Sequence, residues 1–390
     1  MRSSESDEDE DFVKALSGKL GVPFFVKRFR TEDFAEENGI SIQMAARELR
    51  YHWLIELAKE EGYKKIAFAH HKDDQLETII FNLVKGTGIA GLTGMQPKKG
   101  AIIRPLLFTD RVSIEEYAIS KDLEWREDSS NESLKYRRNM IRHKIIPVLK
   151  EINPGLLNTF DLTLLRLIET ESVINENLVA FLDDKVVRKG EDIFISKHSL
   201  ESSPMPTIAL HALAGPFGFN YQQCVNIIES MENVGNLFYG TKGVMNIDRN
   251  ELIISPLLTA GFQSLFFEIE REDSYIDLER GSLVISRLKV NEAEIEPLAE
   301  VAFLDFDKLE FPLKVRHWAA GDWFIPLGMK GKKKISDLMI DEKIPLNLKN
   351  RVWVLESAKN IAWVIGHRID DRFKITPETK TVWKAKYEED

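Results

Sequence analysis

Residues 66–94, IAFAHHKDDQLETIIFNLVKGTGIAGLTG, join a short apolar run to an amphipathic helix. Ile66, Ala67, Phe68 and Ala69 have the unbroken apolarity of a strand buried in a parallel sheet, and Leu76, Ile79, Ile80, Leu83 and Val84 then repeat at helical spacing. His70, His71, Asp73 and Asp74 therefore fall at the strand's carboxyl end. In open α/β sheets ligands bind in the crevice just beyond that end, so position makes these four the candidate catalytic residues. Asp74 and Glu77 read as a capping box, at the N-cap and at N3, and Lys85-Gly86 supplies the stop. The structural alternative is that the aspartates only cap the helix and favour its positive end, while the histidines finish the strand and bond locally. No protein-held metal centre is expected, because adjacent His70 and His71 project to opposite faces of a strand. A magnesium ion accompanying a phosphate substrate stays open, since such sites use only one or two carboxylates.

A second constellation runs Arg126-Glu127-Asp128-Ser129-Ser130-Asn131 and then Tyr136-Arg137-Arg138-Asn139-Met140-Ile141-Arg142-His143-Lys144. The charge turns from acidic to strongly basic within it. Arg138 and Arg142, four apart, share a helix face, with Ile141 and Ile145 repeating on another. A solvated basic face is one meaning of such a run; gripping phosphate is the other, since an arginine fork matches phosphate oxygens bidentately.

Together these residues resemble the tRNA(Ile)-lysidine synthetases, a branch of the ATP-pyrophosphatase (PP-loop) enzymes. His70-His71-Lys72-Asp73-Asp74-Gln75-Leu76-Glu77-Thr78 is similar to the family's HHxDDQxET segment, and Gly86-Thr87-Gly88 through Gly91-Leu92 to its GxGxxGL loop. Arg104-Pro105-Leu106-Leu107, the Trp125 to Asn131 stretch and Arg138-Asn139-Met140-Ile141-Arg142 follow in the family's order. Upstream, Ser41-Ile42-Gln43 and Ala46-Arg47-Glu48-Leu49-Arg50-Tyr51 resemble the helix before the histidine strand. The likeness covers most of residues 1–155 and resumes near the C-terminus.

The resemblance implies an enzyme that uses ATP, with Mg2+ carried on it, to activate C2 of the wobble cytidine in the CAU anticodon of an isoleucine tRNA. The ε-amine of free L-lysine then displaces AMP to give lysidine, changing the tRNA from methionine to isoleucine specificity. By the same likeness Asp74 orients the base or the incoming ammonium, His70 and His71 line the nucleotide and cytidine pocket, and Arg138 or Arg142 steadies phosphate or tRNA backbone. Arg104 and Arg137 join them as substrate-binding candidates. The chemistry asks for exclusion of water, placement of the amine and neutralisation of pyrophosphate.

The family's nucleotide site is an N-terminal SGGxDS loop, and that motif does not occur in this sequence. The chain opens at Met1-Arg2-Ser3-Ser4-Glu5-Ser6-Asp7-Glu8-Asp9-Glu10, similar to a family segment that follows the second strand. The expectation is an N-terminally truncated PP-loop sheet, short of one strand-helix-strand unit of roughly 30 residues or more, with exposed strand edges and apolar helix faces. Met1 is then an internal start or a true truncation. Glycines 86, 88, 91 and 94 do not replace the loop, because they follow a helix and a phosphate cradle precedes one. The alternative function is accordingly a catalytically inactive chain that only binds tRNA.

With 390 residues, 43% hydrophobic and 30% charged, the chain is long enough for two or three domains. No run approaches the ~18 apolar residues needed to span a bilayer, and the acidic opening is unlike a signal peptide, so the cytoplasm is the expected location. The single cysteine, Cys224, excludes an intrachain disulfide and a cysteine-built cluster, argues against the tRNA thiolases among PP-loop relatives, and reads as a core residue. A net charge of −10 means that any tRNA contact is local. Besides the 137–144 patch, Lys330-Gly331-Lys332-Lys333-Lys334 is available, with Trp318 and Trp323 as either stacking or core residues.

The expected fold class is thus α/β: a parallel-sheet PP-loop (adenine nucleotide alpha hydrolase-like) domain over residues 1–155, a helical and mixed middle domain over 156–309, and a small α+β C-terminal domain over 310–390. Asn153-Pro154-Gly155 marks the first boundary, and Leu156, Phe160, Leu164 and Ile168 open a helix beyond it. Residues 243–254 read as a hairpin through Asp248-Arg249-Asn250; Ser336 is expected to cap a short helix, and 352–355 with 361–365 to pair as a second hairpin. The stretches GDWFIPLGMKGKKKISDLMIDEKIP and WVIGHRIDDR resemble the C-terminal domain of the longer lysidine synthetases, which implies tRNA contacts at Lys332, Lys333, Lys334 and Arg368. The family likeness also implies a possible homodimer.

Overall fold

A computed structural model describes residues 2–127, 137–257, 265–278, 281–296 and 298–388; Asp128, Ser129, Ser130, Asn131 and Tyr136 of the second constellation lie outside the described residues. The chain divides into two compact units, Met1–Asn175 and Glu176–Asp390.

The first unit begins with helices α1 (Arg2–Leu20), α2 (Thr31–Glu37) and α3 (Ile42–Glu60), the last capped by Ser41, whose side chain accepts from Met44 N–H. There follow β1 (Ile66–Ala67), α4 (Lys72–Lys85), α5 (Ile89–Leu92), β2 (Lys98–Lys99), β3 (Ile102–Ile103), α6 (Arg111–Ser120) and α7 (Arg137–Met140). A π turn over Ile141–Ile145 leads into α8 (Ile146–Ile152), and α9 (Leu156–Lys185) carries the chain across the unit boundary.

The parallel pairing foreseen for the histidine strand is present, Ile66 opposite Ile102 and Ala67 opposite Ile103. The ladder covers two residues rather than the four expected, although Phe68 N–H still reaches Ile103 O at 2.9 Å. It stops there because Arg104 N–H turns back to Pro97 O at 2.8 Å and Pro105 has no N–H to offer.

Leu76, Ile141 and Ile146 form the buried centre of this unit, flanked by Ile80, Phe81, Leu156, Leu157 and Phe160. The expected Ile141–Ile145 repeat is corrected to Ile141–Ile146, with Ile145 exposed. The π turn is the reason: its i to i+5 bonding adds one residue to the turn and moves the apolar stripe on by one.

In the second unit, β4 (Val186–Lys189), β5 (Asp192–Ser196), β6 (Leu237–Tyr239), β7 (Gly243–Ile247) and β8 (Glu251–Pro256) make an antiparallel sheet of order β4-β5-β8-β7-β6. The β7–β8 hairpin is the one read around Asp248. Helices α10 (Lys197–Glu201), α11 (Pro206–Ala214) and α12 (Tyr221–Glu229) pack on this sheet, burying Leu200, Leu210 and Cys224 with Ile195 and Ile254. Burial pushes the Cys224 thiol up to about 11, so it is a core residue and not a reactive thiol.

The remaining strands are β9 (Phe266–Ile269), β10 (Tyr275–Leu278), β11 (Gly281–Lys289), β12 (Val301–Asp305), β13 (Leu313–His317), β14 (Trp323–Phe324), β15 (Lys333–Lys334), β16 (Trp353–Ser357), β17 (Asn360–Val364), β18 (Arg368–Ile369) and β19 (Thr381–Glu388). Two sheets, β18-β17-β16-β13-β9 and β10-β11-β19-β12, share one core through Leu283, Leu304, Val315, Leu355, Trp363 and Trp383. Helix α13 (Ile335–Asp341) starts from Lys334 as N-cap, so Ser336 lies inside its first turn, and α14 (Leu346–Lys349) follows. The hairpin expected from 352–365 is β16–β17.

His317 ends β13, 3% exposed, its ring 3.7 Å from that of Trp353. Burial, assisted by the Arg351 charge, pushes its pKa down to about 4. A histidine held neutral in the fold takes up its proton more readily once unfolded, at ~6.5. Its contribution is therefore present above pH ~6.5 and lost as pH falls toward 4, by roughly 3 kcal/mol in all. Thermal unfolding followed from pH 7 to pH 4 should show this loss in the second unit, and His317→Phe should flatten the dependence.

Candidate active site

Helix α4 sets the site. His71 is its N-cap, in extended backbone, and His71 N–H donates to Asp74 Oδ2 at 3.1 Å. The capping box thus lies three residues earlier than the sequence spacing suggests, with Asp74 at N3, and Glu77 is released for another task. The helix ends at Lys85 with Gly86 as C-cap, as read from the sequence.

Asp73 ties neighbouring elements together. It accepts from Arg111 N–H at 3.0 Å and from Lys150 Nζ at 2.9 Å, and it lies 3.4 Å from His71 Nδ1. His71 first, then the Arg111 amide and Lys150, hold its carboxyl well below the usual carboxylate range against the opposing effect of burial. The two histidines are pushed apart. Burial lowers His70, helped by Arg104, Arg138 and Arg47 and opposed by Asp74. Burial acts the same way on His71 but is outweighed by Asp73 and Asp74, so its pKa is raised. His70 also stacks on Phe68 at 5.7 Å, and Phe68 on Tyr51 at 4.9 Å.

Glu77, 1% exposed, is the hub for both arginines of the basic constellation. Arg138 Nε donates to it at 3.1 Å, Arg142 does so through Nε and, at 3.0 Å, through Nη2, and Arg142 Nη2 also reaches Asp74 Oδ1 at 3.2 Å. Arg138 Nη2 adds Thr78 Oγ1 at 3.1 Å. Arg138 and Arg142 therefore meet Asp74 and Glu77 on one side of α4, while Arg137 is exposed to solvent.

The opposite side of α4 carries Lys72 and Gln75. The Gln75 amide makes two bonds to Met95, from Nε2 to Met95 O at 3.1 Å and from Met95 N to Oε1 at 2.7 Å. Gly94 needs its left-handed φ of +64° here, and a Cβ on it would meet the Gln75 side chain at 2.9 Å. The glycine-rich segment is thus a brace for α4. Beside it lies a cavity of about 440 Å³, lined by Lys72, Arg104, Leu107, Phe160, Asp161 and Leu164 among others. Lys72 pairs with Asp161 there, and Arg104 is 8% exposed.

Sequence reading missed Lys150 and Asp161, which pair with Asp73 and Lys72 across 77 and 89 residues and carry no local signal. Glu77 was within the quoted motif but was read as a cap. In the second unit, Lys332 lies over the Trp323 ring at 3.6 Å, Lys333 pairs with Asp341 at 2.6 Å, and Lys334 and Arg368 are exposed. Trp318 is half-buried against the β16–β17 side of the core. Among the described residues no group of three or more His, Cys, Asp or Glu side chains is placed to hold a metal ion, and no helix is long and apolar enough to cross a membrane.

Replacing Glu77 with glutamine leaves two guanidinium groups facing a neutral amide. Because both arginines are about one-third exposed and can turn toward water, the expected loss is about 2 kcal/mol rather than the full cost of an orphaned buried charge. Urea unfolding of Glu77→Gln, followed by a probe in the first unit, measures it.

The chain is similar to known proteins along nearly its whole length. The PP-loop domain model matches residues 1–149, the TilS substrate binding domain model residues 188–257 and the TilS substrate C-terminal domain model residues 313–385. The chain is 37% identical to tRNA(Ile)-lysidine synthase of Bacteroides thetaiotaomicron over 98% of its own length and 86% of the relative's. It is 38% identical to that of Parabacteroides distasonis over the same shares, and 36% identical to that of Porphyromonas gingivalis over 96% of this chain and 84% of the relative. Three domain models in order and this extent of identity mean that the chain belongs to the tRNA(Ile)-lysidine synthase family.

Proposed function

We propose that this chain ligates free L-lysine onto C2 of the wobble cytidine in the CAU anticodon of tRNA(Ile), converting ATP to AMP and pyrophosphate. In the first step the cytidine O2 forms a bond to the α-phosphorus of ATP and pyrophosphate leaves. In the second the lysine ε-amine forms a bond to C2, AMP leaves, and the amine sheds its proton. The observation that carries this reading is the cluster at the start of α4, where Asp74 faces Arg142 and two histidines have pKa values pushed in opposite directions. Paired groups driven apart in this way suit a proton acceptor and a proton donor.

His70, kept neutral by burial and by neighbouring guanidinium groups, suits the acceptor of the amine's proton. His71, whose pKa Asp73 and Asp74 raise, suits with Arg138 and Arg142 the developing negative charge on phosphate. Asp74 orients the base or the incoming ammonium, and Asp73 keeps His71 in place. Magnesium, when bound with ATP, supplies charge neutralisation on the phosphates. Asp73 and Asp74 are already engaged by Lys150, Arg111 and Arg142, so the ion is assigned to the nucleotide and not to a protein cage. Lys332, Lys333, Lys334 and Arg368, with Arg137, are assigned to tRNA backbone, a local contact suited to an acidic chain. The reading places the protein in the cytoplasm, with a homodimer as the expected assembly, checked by light scattering.

Labelled lysine should enter a CAU-anticodon isoleucine tRNA only when ATP is present. Asp74→Asn should lower kcat/KM in that assay by about 100-fold, about 3 kcal/mol of transition-state stabilisation. A variant as fast as the parent would remove Asp74 from the mechanism.

A further inference from the structure

We infer that Tyr51 and Phe68 are positioning residues for the proposed reaction: with Arg47 at its far end, they form a stacked ladder that sets the plane of the His70 ring. The inference rests on the reading of His70 as the acceptor of the amine's proton. Phe68 and His70 are two apart on the run that continues β1, so their side chains project to the same face. Their rings are stacked, with centroids 5.7 Å apart and planes 24° from parallel. Tyr51, on α3, stacks on Phe68 in turn at 4.9 Å and 15°. Arg47, one helical turn before Tyr51, lays its guanidinium over the Tyr51 ring at 4.8 Å and donates from Nη2 to Tyr51 Oη at 3.2 Å. Helix α3 and the histidine strand thus meet through a series of side chains that ends on His70.

A functional imidazole is ordinarily oriented by a polar partner on its second ring nitrogen. His71 has carboxylate oxygens within ion-pairing distance, Asp73 at 3.4 Å from Nδ1 and Asp74 at 3.4 Å from Nε2. His70 has no such restraint. No carboxylate among the described residues pairs with it, and its Nδ1 is buried without a hydrogen-bond partner among them. Its plane is therefore set by contact with Phe68, which Tyr51 backs in turn. Aromatic rings prefer offset stacks at these separations, so each ring in the series limits the tilt of the next. The adjacent histidines are held by different physics, His71 by carboxylates and His70 by ring faces. A carboxylate on Nδ1 would favour the imidazolium, whereas the rings fix the plane while keeping water off it. Burial is the first cause of the lowered His70 pKa; Arg104 after β3, Arg138 on α7 and Arg47 on α3 add to it, and Asp74 on α4 opposes them. Arg47 accordingly serves twice, holding Tyr51 and adding to the positive charge that His70 faces.

The full chain is prepared with isotope-labelled histidine, and the His70 resonance, identified by its loss in His70→Gln, is followed by NMR as pH is varied. Tyr51→Leu removes a rung and lets water reach the ring, so the His70 midpoint should move up toward ~6.5 while that of His71 stays in place. Movement of both histidines marks a general loosening and overturns the ladder. A proton acceptor must be neutral, so kcat falls as pH drops through the His70 midpoint, and Tyr51→Leu should carry that fall to higher pH. In the lysine-incorporation assay the same variant should lower kcat by about tenfold, part of the roughly 100-fold or more that a placed acceptor supplies, with KM for lysine within about twofold. Tyr51→Phe keeps the ring and should restore both rate and midpoint. Because Tyr51 acts through His70, adding Tyr51→Leu to His70→Gln should cost nothing further; additive losses overturn the inference. Phe68→Leu breaks the ladder from the strand side and should reproduce the midpoint shift, which covers a Tyr51 variant that fails to fold. A His70 midpoint unmoved in both variants overturns the inference. A parent chain that incorporates no lysine overturns the proposed function and with it the acceptor role, whereas incorporation unaffected by Tyr51→Leu and Phe68→Leu overturns this inference alone.

Discussion

The first unit depends on one buried carboxylate. Glu77, almost wholly enclosed, accepts hydrogen bonds from Arg138 and Arg142 together and so joins α4 to α7 and the π turn after it, 61 to 65 residues further along the chain. Charge-assisted bonds of this kind are short and directional, and a buried acceptor cannot exchange them for water. The pairing fixes the rotation of α4. That rotation in turn decides which of its first-turn residues face the arginines and which face the cavity.

Seen down its axis, α4 separates two chemistries. One side presents Asp74 and Glu77 to guanidinium groups; the other presents Lys72 and Gln75 to a brace and a pocket. Asp73, between them, is spent on Lys150 and the Arg111 amide. A helix N-terminus favours carboxylates in its first turn in any case, so the acid-rich start satisfies the helix while it builds the site. The π turn adds the final adjustment. By lengthening one turn it returns Ile146 to the core in place of Ile145, while Arg138 and Arg142 both stay within reach of Glu77.

Much of this was legible in the letters. The apolar run before His70 and the helical repeat after it identify a strand-to-helix junction, and the ordered motifs identify the family. Local chemistry sufficed for the β7–β8 and β16–β17 hairpins, because their turn residues sit between alternating apolar segments. It failed where two local solutions compete. Asp74 with Glu77 satisfies the capping-box spacing as well as His71 with Asp74 does, and only the packing of Glu77 against two arginines selects the second.

By itself the sequence determined the strand-to-helix junction at His70, the two hairpins, the acidic net charge, the single core cysteine and the residue types gathered at the carboxyl end of the first parallel strand. These follow from periodicity and composition, which act over a few residues. Tertiary structure alone decided that Glu77 is a hub and not a cap, that Lys150 and Asp161 belong to the site, and that Arg104 is a buried cation beside a cavity. Each of those outcomes depends on groups distant in sequence meeting where water is excluded, and desolvation, which sets the strength of charge pairing and the direction of each histidine's shift, exists only once the chain has closed around them.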